Sequence, residues 1–169
     1  KKKKKKKKKE EKRMNINNNI LKAYLKNCFF INGTAYAGKS TMCRMLAEKY
    51  HLLLCGENYG LDRMLQIITP EEQPNLSYFN TMKDWQEFVN RTPDKYLAWI
   101  RGNGYEAADF EIAELIRLSG DRKTIVDTNI PLDILRQIAD YHQVAVMLSP
   151  QSMSVDRFFD REDEEKQFL

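Results

Sequence analysis

The sequence predicts an α/β fold built on a parallel sheet, and three observations carry that expectation. Compact apolar runs alternate along the chain with segments of helical periodicity. Those runs are continuously apolar rather than alternating, as befits strands covered on both faces. A glycine-bounded loop also joins the first clear apolar run directly to a helix, which sets a helix N-terminus at the carboxyl end of a strand. A chain of 169 residues is long enough to bury a core without disulfides and suits one domain or one domain with a small insert.

The elements follow in order. Ile16, Ile20, Leu21, Tyr24 and Leu25 recur near helical spacing and predict a short amphipathic helix over residues 16–26. Cys28-Phe29-Phe30-Ile31 is a buried strand that ends at Asn32-Gly33. A helix with Met42, Met45 and Leu46 on its apolar face spans Lys39 to Tyr50, and His51 to Cys55 is a second strand closed by Gly56. Residues 57–68 carry Leu61, Met64, Leu65 and Ile68 on one side of a helix, before Pro70 and Pro74 break the pattern. Asp84 to Arg91 is a short helix. Thr92 is then an N-cap and Pro93 a first helical residue for a longer one. That pattern runs through Leu97, Ile100, Ala107, Ile112, Leu115 and Ile116 to Gly120, with a kink or interruption expected at Gly102 and Gly104. Lys123 to Asp127 is a third strand, Pro131 opens a helix through Ala139, and Gln143 to Leu148 is a fourth strand. Ser152 to Leu169 is strongly charged and reads as helical in parts; no internal repeat is present.

The formal net charge of +4 divides unevenly. Residues 1–13 carry a net +9, so the rest of the chain carries −5 and the basic character belongs to the tail. An acidic body argues against nucleic-acid binding. Nine consecutive lysines bury nothing, so residues 1–13 are expected to be a basic disordered tail or an artefact, with Met14 a candidate start. The run has no apolar segment behind it, unlike a secretory signal, and no apolar stretch approaches the roughly 18 residues of a membrane span. Cys28, Cys43 and Cys55 are odd in number and lack metal-type spacing, so they read as reduced thiols of a cytoplasmic protein.

Gly33-Thr34-Ala35-Tyr36-Ala37-Gly38-Lys39-Ser40 matches the Walker A pattern in full, with Thr41 following. Such a loop turns its successive N–H groups inward onto phosphate oxygens, and the helix starting near Gly38 aims its positive end at the same place. Lys39 supplies a mobile charge for the β- and γ-phosphates, and the Ser40 hydroxyl is a ligand for Mg²⁺. Residues 33–41 are therefore the predicted ATP-binding segment.

From Phe29 to Tyr50 the chain resembles the opening of the small P-loop kinases, the group of nucleoside monophosphate kinases, shikimate kinase and related phosphotransferases. Arg157-Phe158-Phe159-Asp160-Arg161-Glu162-Asp163 is similar to the arginine-bearing lid of that group. The resemblance implies a three-layer α/β/α domain over 14–169 in P-loop kinase topology, with strand order second, third, first, fourth. It also implies a helical acceptor-binding insert at about 57–120 and a lid at about 150–166. The Asp-Gly-Phe-Pro-Arg segment of adenylate kinases and the Gly-Gly-Gly of shikimate kinases are absent, which leaves the acceptor open. The Asn-Lys-x-Asp and Asp-x-x-Gly segments of GTPases are absent too.

The remaining candidates fall into place around the loop. Asp127 ends an apolar strand where a carboxylate holds Mg²⁺ directly or through water. Glu57, at the same sheet edge, is a candidate to take the proton of an acceptor hydroxyl; Asp62 is its competitor, with Arg63 beside it as a candidate acceptor-phosphate ligand. Arg157 and Arg161, four residues apart, share one face of a helix and would clamp a transferring phosphoryl group. Trp85, Trp99, Tyr96 and Tyr105 read chiefly as packing, Arg101 as a possible anion contact, and His51 and His142 as structural. The expected function is transfer of the γ-phosphoryl of ATP, with Mg²⁺, to a small-molecule or nucleotide acceptor. The alternative is a nucleotide-binding switch with little turnover.

Overall fold

Strand β1 (Cys28–Gly33) is the hub of the sheet. Cys28 and Phe30 face one apolar layer while Phe29 and Ile31 face the other, the period-two alternation of a strand covered on both sides. The structure is a computed structural model that describes residues 15–150 and residue 152. β3 (Thr124–Asp127) pairs parallel with β1, from Cys28 against Thr124 to Ile31 against Asp127. β4 (Val144–Met147) pairs parallel on the other side, from Phe30 against Val144 to Gly33 against Met147. β2 (Leu53–Cys55) pairs parallel beyond β3, so the order is β2-β3-β1-β4, as the sequence predicts.

Helices cover both faces. α2 (Lys39–Tyr50) lays Cys43, Leu46 and Ala47 on Ile31 and Ile125. On the opposite face Leu25, just after α1 (Asn18–Tyr24), joins Ala108, Ile112 and Leu115 of α6 (Pro93–Ser119) over Phe30 and Val126. Leu135 and Ile138 of α7 (Leu132–Ile138) complete this larger core. Three short helices, α3 (Leu61–Leu65), α4 (Tyr78–Thr81) and α5 (Trp85–Val89), lie between β2 and α6. The side chain of Gln143 ties the start of β1 to the start of β4: its Nε2 donates to the carbonyls of Leu25 and Cys28 at 2.9 and 2.8 Å.

Several expectations are corrected. α6 runs unbroken for 27 residues through Gly102 and Gly104. Gly102 is there for close approach rather than for a kink: a Cβ at that position would overlap the Asn75 carboxamide. Asn75 is held in place by Glu106, which accepts from its Nδ2 at 2.6 Å and from the backbone N–H groups of Asn75 and Leu76, each at 2.9 Å. The helix expected over 57–68 is confined to Leu61–Leu65, because Asn58 and Gly60 take left-handed backbone angles (φ 61° and 76°) in the turn after β2. β2 begins at Leu53 rather than His51, whose φ of 53° ends α2. Trp85, Tyr96 and Trp99 pack in an aromatic cluster with Phe79 and Phe88, whose ring centroids lie 5.2 Å apart. The Arg91 guanidinium stacks 3.6 Å from the Tyr78 ring centroid at the edge of this cluster. Tyr105 instead donates a hydrogen bond to Asp133 of α7 at 3.1 Å. His51 and His142 are exposed. The basic tail at 1–13 and nearly all of the lid at about 150–166 lie outside the described residues. Among the described residues no helix is long and apolar enough to cross a membrane.

Candidate functional site

The loop between β1 and α2 is clamped from the β4 side. Gly33 adopts φ 143° with its α-carbon against the Met147 carbonyl, which any Cβ would strike. The next N–H, that of Thr34, donates to that carbonyl at 3.0 Å. Beyond β4, Ser149 donates its N–H to the Thr34 hydroxyl and its own hydroxyl to the Ala35 carbonyl, each at 2.9 Å. Tyr36 sits at φ 60° and Gly38 at φ 86°, so the chain curls before it enters the helix. α2 starts on Gly38 without a capping side chain. The first N–H groups of a helix have no intrahelical partner, so those of α2 stand ready to meet an anion. The Lys39 ammonium lies back across the loop, 3.5 Å from the Thr34 carbonyl, a long contact that a stronger acceptor would displace.

Asp127 ends β3, opposite Ile31 of β1, the strand that leads into the loop. It is 2% exposed, and among the described residues neither of its carboxylate oxygens has a hydrogen-bond partner. Strand alternation puts it on the α2 side of the sheet with Ile125. There its charge acts on the Cys43 thiol, which burial first and Asp127 second push up to about 11, against a smaller opposing pull from Lys39. Ser40 is three residues before Cys43 and shares its helix face, so the Ser40 hydroxyl and the Asp127 carboxylate approach the same region from α2 and β3. A buried carboxylate without donors is costly unless a cation compensates it. A hydroxyl plus a carboxylate is a hard oxygen pair that suits Mg²⁺, which takes its other ligands from water and phosphate. The residues present therefore fit that ion. No group of three or more His, Cys, Asp or Glu side chains able to hold a metal occurs among the described residues.

A cleft of about 1060 Å³ opens from this loop toward α6, at the upper end of the roughly 300–1,000 Å³ that holds one small molecule. Gly33, Ala35 to Thr41 and Glu57 line it; Thr34 is held behind the loop by Ser149. Glu57 is exposed and accepts from Asn129 Nδ2 at 3.4 Å, so residues following β2 and β3 meet across the sheet edge. Asp62 is exposed on the first turn of α3 and does not line the cleft; neither does the exposed Arg101. Arg63 points its guanidinium to Glu114 at 3.8 Å. Arg157 and Arg161 lie outside the described residues.

Sequence reasoning missed Glu111. It projects from α6 into the cleft and accepts a hydrogen bond from the Thr128 hydroxyl at 3.0 Å. Burial pushes its carboxyl above the ordinary range, offset in part by the Thr128 and Tyr59 hydroxyls. Tyr59 is raised in turn, by burial and by the Glu111 charge, and donates to the Glu111 carbonyl at 3.3 Å. The signal was present in the helix pattern: Glu111 stands on the stripe of Ala108, Ile112 and Leu115, where an acid breaks the apolar face. Neighbouring Glu114 is different, since Arg117 holds its carboxyl below the usual range. Compared with protein-family models, with curated proteins and with solved structures, the chain matches none.

Proposed function

We propose that the protein is a phosphotransferase of P-loop kinase topology that moves the γ-phosphoryl group of ATP to a hydroxyl-bearing acceptor. The observation that carries this reading is the buried Asp127, without a hydrogen-bond partner among the described residues, at the carboxyl edge of a parallel sheet whose β1 leads into the Walker A sequence. In this reading the N–H groups at the start of α2 and the Lys39 ammonium hold the β- and γ-phosphates. Ser40 and Asp127 would hold Mg²⁺, which when bound offsets charge on those phosphates. The acceptor lies on the α6 side of the cleft. Its hydroxyl oxygen forms a bond to the γ-phosphorus as the bond from that phosphorus to the bridging oxygen breaks, so ADP leaves with the electron pair. Glu57, which lines the cleft where Asp62 does not, takes the hydroxyl proton. Arg157 and Arg161 would stabilise the charge on the transferring group.

Calorimetry with Mg²⁺ and ATP tests the loop assignment directly. Lys39→Ala should bind ATP at least about tenfold more weakly while keeping its fold, since Lys39 makes one long contact in the free protein. Equal affinity in variant and wild type would overturn the reading. Acceptor-dependent release of ADP, absent from Lys39→Ala, is the expected sign of turnover.

A further inference from the structure

The two ends of the cleft differ in charge, and the difference bears on what the acceptor is. Among the described residues the cations lining the cleft are Lys39 and Arg44, both on the side of the loop and α2. The far end presents the carboxylates of Glu57, Glu111 and Glu114, with the Asn103 carboxamide and the rings of Phe79 and Phe110. Glu114 is neutralised by Arg117 and Arg63, but among the described residues Glu57 and Glu111 have no cationic partner. A phosphate placed there would lose its water and face the carboxylates of Glu57 and Glu111, while Arg63 and Arg117 are already paired with Glu114. A hydroxyl or ammonium group would find strong acceptors. The Glu111 carboxylate takes one hydrogen bond from Thr128 and, with about four lone-pair sites, has capacity left for donors from a ligand. The ring faces of Phe79 and Phe110 suit the apolar side of a sugar or a heterocycle.

We infer that the acceptor is an unphosphorylated compound rich in hydroxyl groups, neutral or cationic, anchored by Glu111 and discriminated from its phosphorylated counterpart by Glu57 and Glu111. This rests on the phosphotransferase reading, because it assigns the other end of the cleft to ATP. It narrows an acceptor that the sequence left open between small molecules and nucleotides, and it turns away from nucleoside monophosphates.

The test is calorimetry on the full chain saturated with a non-hydrolysable ATP analogue and Mg²⁺. Matched pairs serve as probes: adenosine, cytidine and thymidine with their 5′-monophosphates, glucose and glucosamine with their 6-phosphates. At least one unphosphorylated member should bind, and its phosphorylated partner should bind about 100-fold more weakly or not at all. Glu111→Gln should weaken the preferred member by at least about tenfold and shrink the discrimination, because the amide retains one acceptor but adds a donor and loses the charge. If that variant does not fold, the wild-type ratios decide. A phosphorylated member binding as tightly as its partner would overturn the inference and leave the ATP reading standing. So would the failure of every unphosphorylated member up to about 10 mM while the ATP analogue still binds. Failure of the analogue itself would instead bring down the reading beneath it.

Discussion

Two carboxylates, the buried Asp127 and the half-buried Glu111, flank the same sheet edge and differ in how they are held. Among the described residues Asp127 has no hydrogen-bond partner for either oxygen, whereas Glu111 has the Thr128 hydroxyl. Among the described residues no hydrogen bond compensates the Asp127 carboxylate, the arrangement expected if a bound cation is its partner. Asp127→Asn keeps the shape and removes the charge. It should stabilise the ligand-free fold, because burying an unpaired charge costs more than burying the equally unpartnered amide. Thermal denaturation should show this as a rise of about 2–4 °C per kcal/mol. The same variant should lose the difference in ATP affinity between solutions with Mg²⁺ and with a chelator. Destabilisation, with the Mg²⁺ dependence intact, would mean that Asp127 is a structural acid. Glu111 gives a pH-dependent counterpart. Its pKa is raised on folding, so the folded state binds its proton more tightly than the unfolded state does. The penalty for ionising it is absent well below the ordinary value of 4.5 and grows as pH rises, becoming complete above the raised pKa. Glu111→Gln, which retains an acceptor for Thr128, should therefore gain stability over wild type at pH 8 relative to pH 4, measured by urea unfolding at each pH. A difference that stays flat with pH would place no titration at Glu111.

At the scale of elements, α6 shows how a local rule gives way to a contact. Glycine inside a helix costs about 1 kcal/mol relative to alanine, so Gly102→Ala looks favourable by propensity alone. The Asn75 carboxamide occupies the space the new methyl group would need, and Glu106 holds it there. Gly102→Ala should therefore destabilise the protein, by about 1–3 kcal/mol as an overpacking change. In an Asn75→Ala background the same substitution should become stabilising by about 1 kcal/mol, since only the propensity gain remains. A double-mutant cycle by denaturant unfolding checks the change of sign. This contact also explains where sequence reading stopped. β1, α2 and β3 were legible because each is a compact apolar run or an amphipathic segment with its own signals, from Cys28 to Ile31 and from Lys39 to Tyr50. The 57–92 stretch was not, because Asn75, Glu106, Trp99 and Arg91 fix it through partners distant in sequence. The Trp99 indole N–H, for example, donates to the Asn75 carbonyl at 3.0 Å. The kink expected at Gly102 and Gly104 followed from the absence of a side chain, and the neighbour filling that space is invisible in the sequence.

Across the whole molecule the sheet joins two apolar layers, and the Walker A segment sits where one of them meets the cleft. Half of the candidate site could be named from the sequence for that reason: a loop motif is local, so residues 33–41 could be read directly, and Asp127 and Glu57 follow from ending strands. Glu111 was missed, because the helix pattern marks an acid on the apolar stripe but not the cleft into which that acid looks. The three free cysteines sample both layers and offer a test of how they are coupled. Cys28 and Cys55 belong to the core beneath α6 and α7, and Cys43 to the core beneath α2. All are buried, and burial raises every one of their thiols, Cys43 and Cys55 to about 11. Native labelling by a thiol reagent therefore has to proceed through opening of the layer concerned. If ATP and Mg²⁺ dock as proposed, they bridge the start of α2 and the end of β3, the two elements that enclose Cys43. Opening there must then release the ligand first. At a ligand concentration about 100-fold above the dissociation constant, labelling of Cys43 should slow by about 100-fold. Cys28 and Cys55 should slow less, to the extent that their layer opens without α2 moving. Mass spectrometry of the labelled peptides resolves the three sites in one experiment. Equal slowing at all three would mean that the ligand stabilises only against global unfolding, and no slowing at Cys43 would place the ligand away from the loop.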